Sequence, residues 1–209
     1  MPEFHQIVQT TKRAGAALRD AGVPYLLGGG LAAWAHGGPE SCKDVDLIVH
    51  EENAEAALDA LVQAGMRAER PPEGWLLKAH DGEVLVDLIF DPTGGPGPEQ
   101  LFARAKTMRV EAQDMQVMSV DDVMTTKICA LDEHDIDFTS LVPVARALRE
   151  QIDWDQVRRR TGHSPYAHAF MTLIEGLGIC DAATARERRV HVAPVADLEP
   201  GRARRDAAT

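Results

Sequence analysis

Three aspartates, a run of glycines and one lysine carry the chemistry this chain could perform. Asp44-Val45-Asp46-Leu47 opens an apolar run. In a strand, the two-residue period sends Asp44 and Asp46 to one face and Val45 and Leu47 to the other. Like charges held side by side are costly to bury, and a hard divalent cation with a preference for oxygen is their natural partner. Exposed loop aspartates would need none. Asp87 stands inside Val84-Leu85-Val86-Asp87-Leu88-Ile89-Phe90, apolar on both faces, so this strand is expected to be covered on both sides. A carboxylate there needs a cation, a set of donors or a salt bridge to a helix arginine. If the two strands are neighbours, three carboxylates converge. Oxygen ligands so placed make a two-magnesium site able to clamp the attacking and leaving oxygens of a phosphoryl displacement.

Gly28-Gly29-Gly30 joins a short apolar run to a short helix. Bare backbone N–H groups there can face an anion such as a triphosphate without obstruction, or the run is simply a tight bend. Lys127 falls within the buried stripe of Val120, Val123, Met124, Ile128 and Leu131. A lysine on an inward face either meets an anion or snorkels to solvent along the helix edge. Asp132, Glu133, Asp135 and Asp137 form an acidic run that reads as a solvated turn. His36 reads as a helix-end residue, and none of the histidines has metal-ligand spacing.

The elements that must position these groups follow from periodicity. Residues 3–21 read as an opening helix stopped by Gly22, 25–27 as a strand into the glycines, 31–36 as a brief helix, and 45–49 as a second strand. A helix over 54–64 ends at Gly65. Extended runs follow at 66–69, 75–79 and 84–90, the last two a hairpin about Asp81-Gly82. A Gly/Pro loop over 91–98 leads to a helix near 99–105, and 107–110 and 116–118 read as short edge strands. From Ser119, which caps a helix in the manner of a capping box, the pattern is helical, with further helices near 138–150, 154–161 and 165–178. Sheet first and helices afterwards predict an α+β fold, a mixed twisted sheet flanked by helices with a helical C-terminal part. The expected division is a catalytic core over 1–118, a helical part over 119–182 and a flexible tail over 183–209.

A 209-residue chain with 44% hydrophobic residues can bury one full-sized core. Cys42, Cys129 and Cys180 are too scattered for a disulfide framework or a zinc pattern, which points to a reducing cytoplasm. No apolar stretch is long enough to span a membrane. The net charge of −11 excludes a general nucleic-acid binder. It is uneven, however: residues 1–145 hold 11 Lys/Arg against 24 Asp/Glu, net −13, and residues 146–209 hold 11 against 9, net +2. The basic share gathers in Arg158-Arg159-Arg160, around Arg186 to Arg189 and around Arg202 to Arg205. These are either a face for a polyanion or arginines on a solvated helix and a loose tail.

The ordered set Leu27-Gly28-Gly29-Gly30-Leu31-Ala32, Lys43-Asp44-Val45-Asp46-Leu47-Ile48-Val49 and Val86-Asp87-Leu88-Ile89 resembles the motifs of the DNA polymerase β-like nucleotidyltransferases. Among these it is most similar to the minimal nucleotidyltransferases and AbiEii-type toxin enzymes of bacteria. The resemblance covers roughly residues 20–140, and a third glycine and the lack of an arginine before Lys43 depart from it. It implies the nucleotidyltransferase fold, with Asp44, Asp46 and Asp87 holding magnesium, two ions in all. Asp87 would also take the proton of an acceptor hydroxyl that attacks the α-phosphorus of a nucleoside triphosphate. Gly28, Gly29, Gly30 and Lys43 would hold the triphosphate, and Lys127, followed by Asp135-Ile136-Asp137, would stand near its phosphates. The implied acceptor is tRNA, with a cognate antitoxin as partner. A protein side chain or a small hydroxylated compound such as an aminoglycoside is the alternative. Two other classes compete: a Rossmann-type dinucleotide site, with Gly28 to Ala33 as Gly-x-Gly-x-x-Ala and Glu51 as ribose partner, and a non-catalytic regulatory module on the same fold.

Overall fold

The computed structural model describes residues 2–40, 43–92 and 95–182. The expected tail over 183–209, with its two arginine groups, lies outside the described residues, as do Cys42 and the Thr93-Gly94 step of the Gly/Pro loop. Helix α1 (Phe4–Asp20) begins at a capping box, Glu3 with Gln6, and buries Ile7, Val8, Ala14 and Leu18 at helical spacing. It stops at Gly22, whose φ of +69° is the left-handed conformation that closes a helix.

Strand β1 (Leu26–Leu27) enters the glycines, α2 (Gly29–Ala35) follows, and β2 (Asp44–Ile48) returns. Next come α3 (Ala54–Gln63), β3 (Arg67–Glu69), β4 (Leu76–Asp81) and β5 (Val84–Ile89). Beyond α4 (Pro98–Ala103), a hairpin of β6 (Lys106–Val110) and β7 (Gln113–Val117) completes the sheet. The helices α5 (Val120–Cys129), α6 (Leu141–Leu148), α7 (Trp154–Thr161) and α8 (Pro165–Gly176) close the described chain. Ser119, Asp153 and Ser164 cap α5, α7 and α8 with side-chain oxygens.

Among the described residues the sheet has seven strands in the order β3-β4-β5-β2-β1-β7-β6. It is mixed: β2/β5 and β1/β7 are parallel pairs and the others antiparallel. Helices α1 and α3 pack against β2, β4 and β5, where Val45, Leu47, Ala79, Val86 and Leu88 are fully buried. One hydrophobic cluster runs from Leu26, Leu47 and Val86 through Val123 and Ile128 of α5 to Val144, Val157 and Phe170. No helix of the described residues is long and apolar enough to cross a membrane.

Three expectations are corrected. Strand β5 is not covered on both sides: Val84, Val86 and Leu88 are buried, but Leu85, Asp87 and Ile89 line a half-open face. Strand β7 is not an edge strand, because it lies between β1 and β6, and Met118 N–H continues the pairing to Leu27 O at 2.9 Å. The β4/β5 turn is Gly82-Glu83, since Asp81 pairs with Val84 and gives its carboxylate to Thr10 and Arg13 of α1.

Candidate active site

The pairing of β2 with β5 sets Asp46 directly opposite Asp87, two side chains on neighbouring strands that share a face. Asp44, two residues before Asp46, joins them, and one carboxylate oxygen from each lies within 4.8 Å of the others. Such an oxygen set suits a hard divalent cation. All three residues are half-buried. Asp46 shows the strain of this crowding: burial first, then the charge of Asp44, raise its pKa from 3.8 to about 7, opposed by Lys127 and by a hydrogen bond from the Gly30 N–H. Burial and the Asp87 charge raise Asp44 as well, against the pull of Lys127, Lys43 and Lys78. A cation beside Asp44 and Asp46 would relieve this crowding.

The glycine turn fits closely around Asp46. Gly28 N–H donates to the Asp46 carbonyl at 2.9 Å, which extends the β1/β2 ladder by one step. Gly29 has φ +54°, and a Cβ on it would stand 1.6 Å from Asp46 Oδ2. Position 29 therefore requires glycine for its backbone and for the carboxylate beside it. Gly28 makes no such demand, since a Cβ there would meet only Met118 Cε at 3.4 Å and Ile48 at 3.5 Å. The middle glycine of the three is the one that the aspartate strand requires.

Lys127 is half-buried on α5, which packs against α2, and its charge acts on both Asp44 and Asp46. Lys43 is exposed, with its charge felt by Asp44 on one side and Asp137 on the other. The acidic run forms successive turns. Asp132 accepts from the His134 and Asp135 amides, Asp135 accepts from the Asp137 amide, and Asp137 accepts from the Thr139 amide and hydroxyl. The Thr139 bonds, with the Lys43 charge as a smaller cause, hold the Asp137 carboxyl below the usual range.

One member of the cluster is not apparent from the motifs. Lys78 on β4 stands opposite Asp87, its ammonium donating to Asp87 Oδ1 at 2.8 Å, with the two side chains only 22% and 13% exposed. The partner envisaged for Asp87, a helix arginine, is thus a strand lysine. Its signal was a charge inside Trp75-Leu76-Leu77-Lys78-Ala79, which acquires meaning only once the register is known.

A family model described as an uncharacterised nucleotidyltransferase matches residues 5–174. The chain belongs to this nucleotidyltransferase family. Membership makes it an NTP-dependent nucleotidyltransferase, and solved structures show the same fold. The antibiotic-resistance factor ANT(2″)-Ia in solution matches with a TM-score of 0.59 and 15% identity, over 84% of this chain and 97% of that one. Its crystal structure in complex with adenylyl-2″-tobramycin matches with a TM-score of 0.55 and 16% identity, over 79% and 97%. No curated protein sequence matches the chain.

The competing dinucleotide reading fails on topology. A Rossmann unit needs the strand after the glycine helix to run parallel to the first, whereas β2 is antiparallel to β1. Glu51 lies in a 3-10 turn after β2, exposed. His36 is a helix end, as expected, and its Nε2 lies 2.9 Å from Met118 O. Of the arginines on α7, Arg158 binds Asp155 and Glu175, and Arg160 binds the buried Asp122. Arg159 is exposed. The arginine run is therefore largely internal cross-linking, a third possibility beside a polyanion face and a solvated one.

Proposed function

We propose that this nucleotidyltransferase moves a nucleoside monophosphate from an NTP to a hydroxyl acceptor, with Asp44, Asp46 and Asp87 holding two magnesium ions. The observation that carries this reading is the convergence of three half-buried carboxylates on one half-open sheet face. Bound magnesium would polarise the phosphates and neutralise charge on the departing pyrophosphate. The residues of the chain do the rest. Asp87, across from Asp46, takes the proton of the acceptor hydroxyl as its oxygen bonds to the α-phosphorus and the bond from that phosphorus to the pyrophosphate oxygen breaks. The glycine turn Gly28–Gly30, two of whose amides are already bonded to Asp46, and the Lys43 and Lys127 ammonium groups border the triphosphate, leaving position and charge as the main sources of rate. In this reading residues 1–118 supply the carboxylates and glycine turn, and residues 119–182 the lysine of α5.

For the acceptor, the basic share of residues 146–209 supports tRNA, and with it a toxin role and a cognate antitoxin in the cytoplasm. A second reading, a small hydroxylated compound of the tobramycin type, is favoured by the internal pairing of Arg158 and Arg160, which leaves a polyanion less basic surface. The test is incubation with each labelled NTP, magnesium, and separate pools of tRNA, total protein and aminoglycosides. One pool takes label, and the Asp46→Ala variant abolishes it. No labelled pool, or equal labelling by the variant, rejects the mechanism.

A further inference from the structure

The carboxylates sit in a cross-strand row of alternating origin. Glu69 on β3 lies opposite Lys78 on β4, Lys78 opposite Asp87 on β5, and Asp87 opposite Asp46 on β2. Lys78 is flanked by acids on both sides, yet Glu69 gives its carboxylate to His80 at 2.6 Å, and the Lys78 ammonium turns to Asp87. We propose that Lys78 is a built-in counter-cation, which occupies the electrostatic place of a divalent ion at Asp87 and yields it when metal and nucleotide arrive together. The inference rests on the reading of the triad as metal ligands.

Three crowded carboxylates without a metal would repel one another, and a lysine in contact with one of them lowers that cost while the site waits. The same ammonium then opposes an incoming ion. A divalent cation at the triad would stand within a few ångströms of it, in a half-buried setting where charges are weakly screened. A bare ion therefore binds poorly, whereas a metal accompanied by a triphosphate brings negative charge that the freed ammonium can face. A purely structural cross-strand ion pair would contribute to folding and leave metal affinity unchanged or weaker.

The experiment is titration of the full-length protein with Mn2+ in the absence of nucleotide, by calorimetry and by Mn2+ paramagnetic resonance, for the wild type, Lys78→Met, Lys78→Gln, Lys78→Arg and Asp46→Asn. Lys78→Met and Lys78→Gln should each bind Mn2+ about tenfold more tightly than the wild type. Lys78→Arg, which keeps the charge, should stay close to it. Without metal, Lys78→Met should melt below the wild type, and saturating Mn2+ should remove the deficit. Equal or weaker Mn2+ affinity in both neutral variants, or a melting deficit that Mn2+ leaves in place, overturns the proposal and makes Lys78 a structural strand pair. Asp46→Asn should lose Mn2+ binding. Wild-type affinity in that variant would reject the metal site itself, an outcome distinct from failure of the lysine's role.

Discussion

A single methyl group at position 29 would collide with the Asp46 carboxylate and force a left-handed backbone on an L-residue. Gly29→Ala is therefore expected to cost about 2 kcal/mol or more in urea unfolding and to abolish transfer. Gly28→Ala, at a position with room for a Cβ, should cost under about 1 kcal/mol; equal losses in the two variants would refute this assignment of roles. Asp46 also carries a pH signature. Its folded pKa is raised to about 7, so between about pH 4 and 7 the folded protein holds a proton that the unfolded chain has released. Without divalent ions, stability is then fully present below the unfolded value and is lost as pH rises through that window. Melting temperatures measured across it should fall for the wild type and stay flatter for Asp46→Asn. Among residues, Asp44, Asp46 and Asp87 could be read in advance because a carboxylate within an apolar strand is conspicuous. Lys78 could not, because its meaning depends on which residue faces it across the sheet.

At the scale of elements, α4, α5 and α7 meet on one buried carboxylate. Asp122, fully buried, accepts from Arg104 through Nε and Nη2, from Arg160 Nη1 at 2.8 Å and from the Ser119 hydroxyl at 2.7 Å. Asp122→Ala takes from Arg104 and Arg160 the carboxylate they share and should destabilise by about 3 kcal/mol, read from the urea midpoint at unchanged slope. Most elements were legible because glycines and capping residues mark their ends, as at Gly22, Gly65 and Ser119. The β6/β7 hairpin was harder to read. Its two-residue turn is Glu111-Ala112, with φ of +48° and +67°, a backbone normally signalled by Asn or Gly. A turn without its usual residues split the hairpin into two apparent edge strands. The half-open face of β5 was hidden for a different reason: Leu85 and Ile89 make the strand apolar throughout, whereas only its other face packs on helices.

For the whole molecule, the continuity of the hydrophobic cluster from the sheet to α8 predicts one cooperative transition. Fluorescence of Trp34, Trp75 and Trp154 and far-ultraviolet circular dichroism should give coincident urea curves; separate midpoints would show the helical part to be an independent unit. The α+β architecture and the order of its elements were readable because amphipathic period changes from two to 3.6 along the chain. Strand order was not, since neighbours β2 and β5 are separated by two strands and a helix, and β1 and β7 by most of the sheet. That separation bears on the way the protein comes to life. Asp46 and Asp87 meet only when a parallel pair closes over a long stretch of chain, a slow kind of contact in folding. Until β5 has docked, Asp46 and Asp87 are not neighbours and the proposed metal site does not exist. Synthesis and refolding should thus pass through a stage with helices formed and catalysis absent, and the onset of terbium luminescence on refolding would date the closure of β2 on β5.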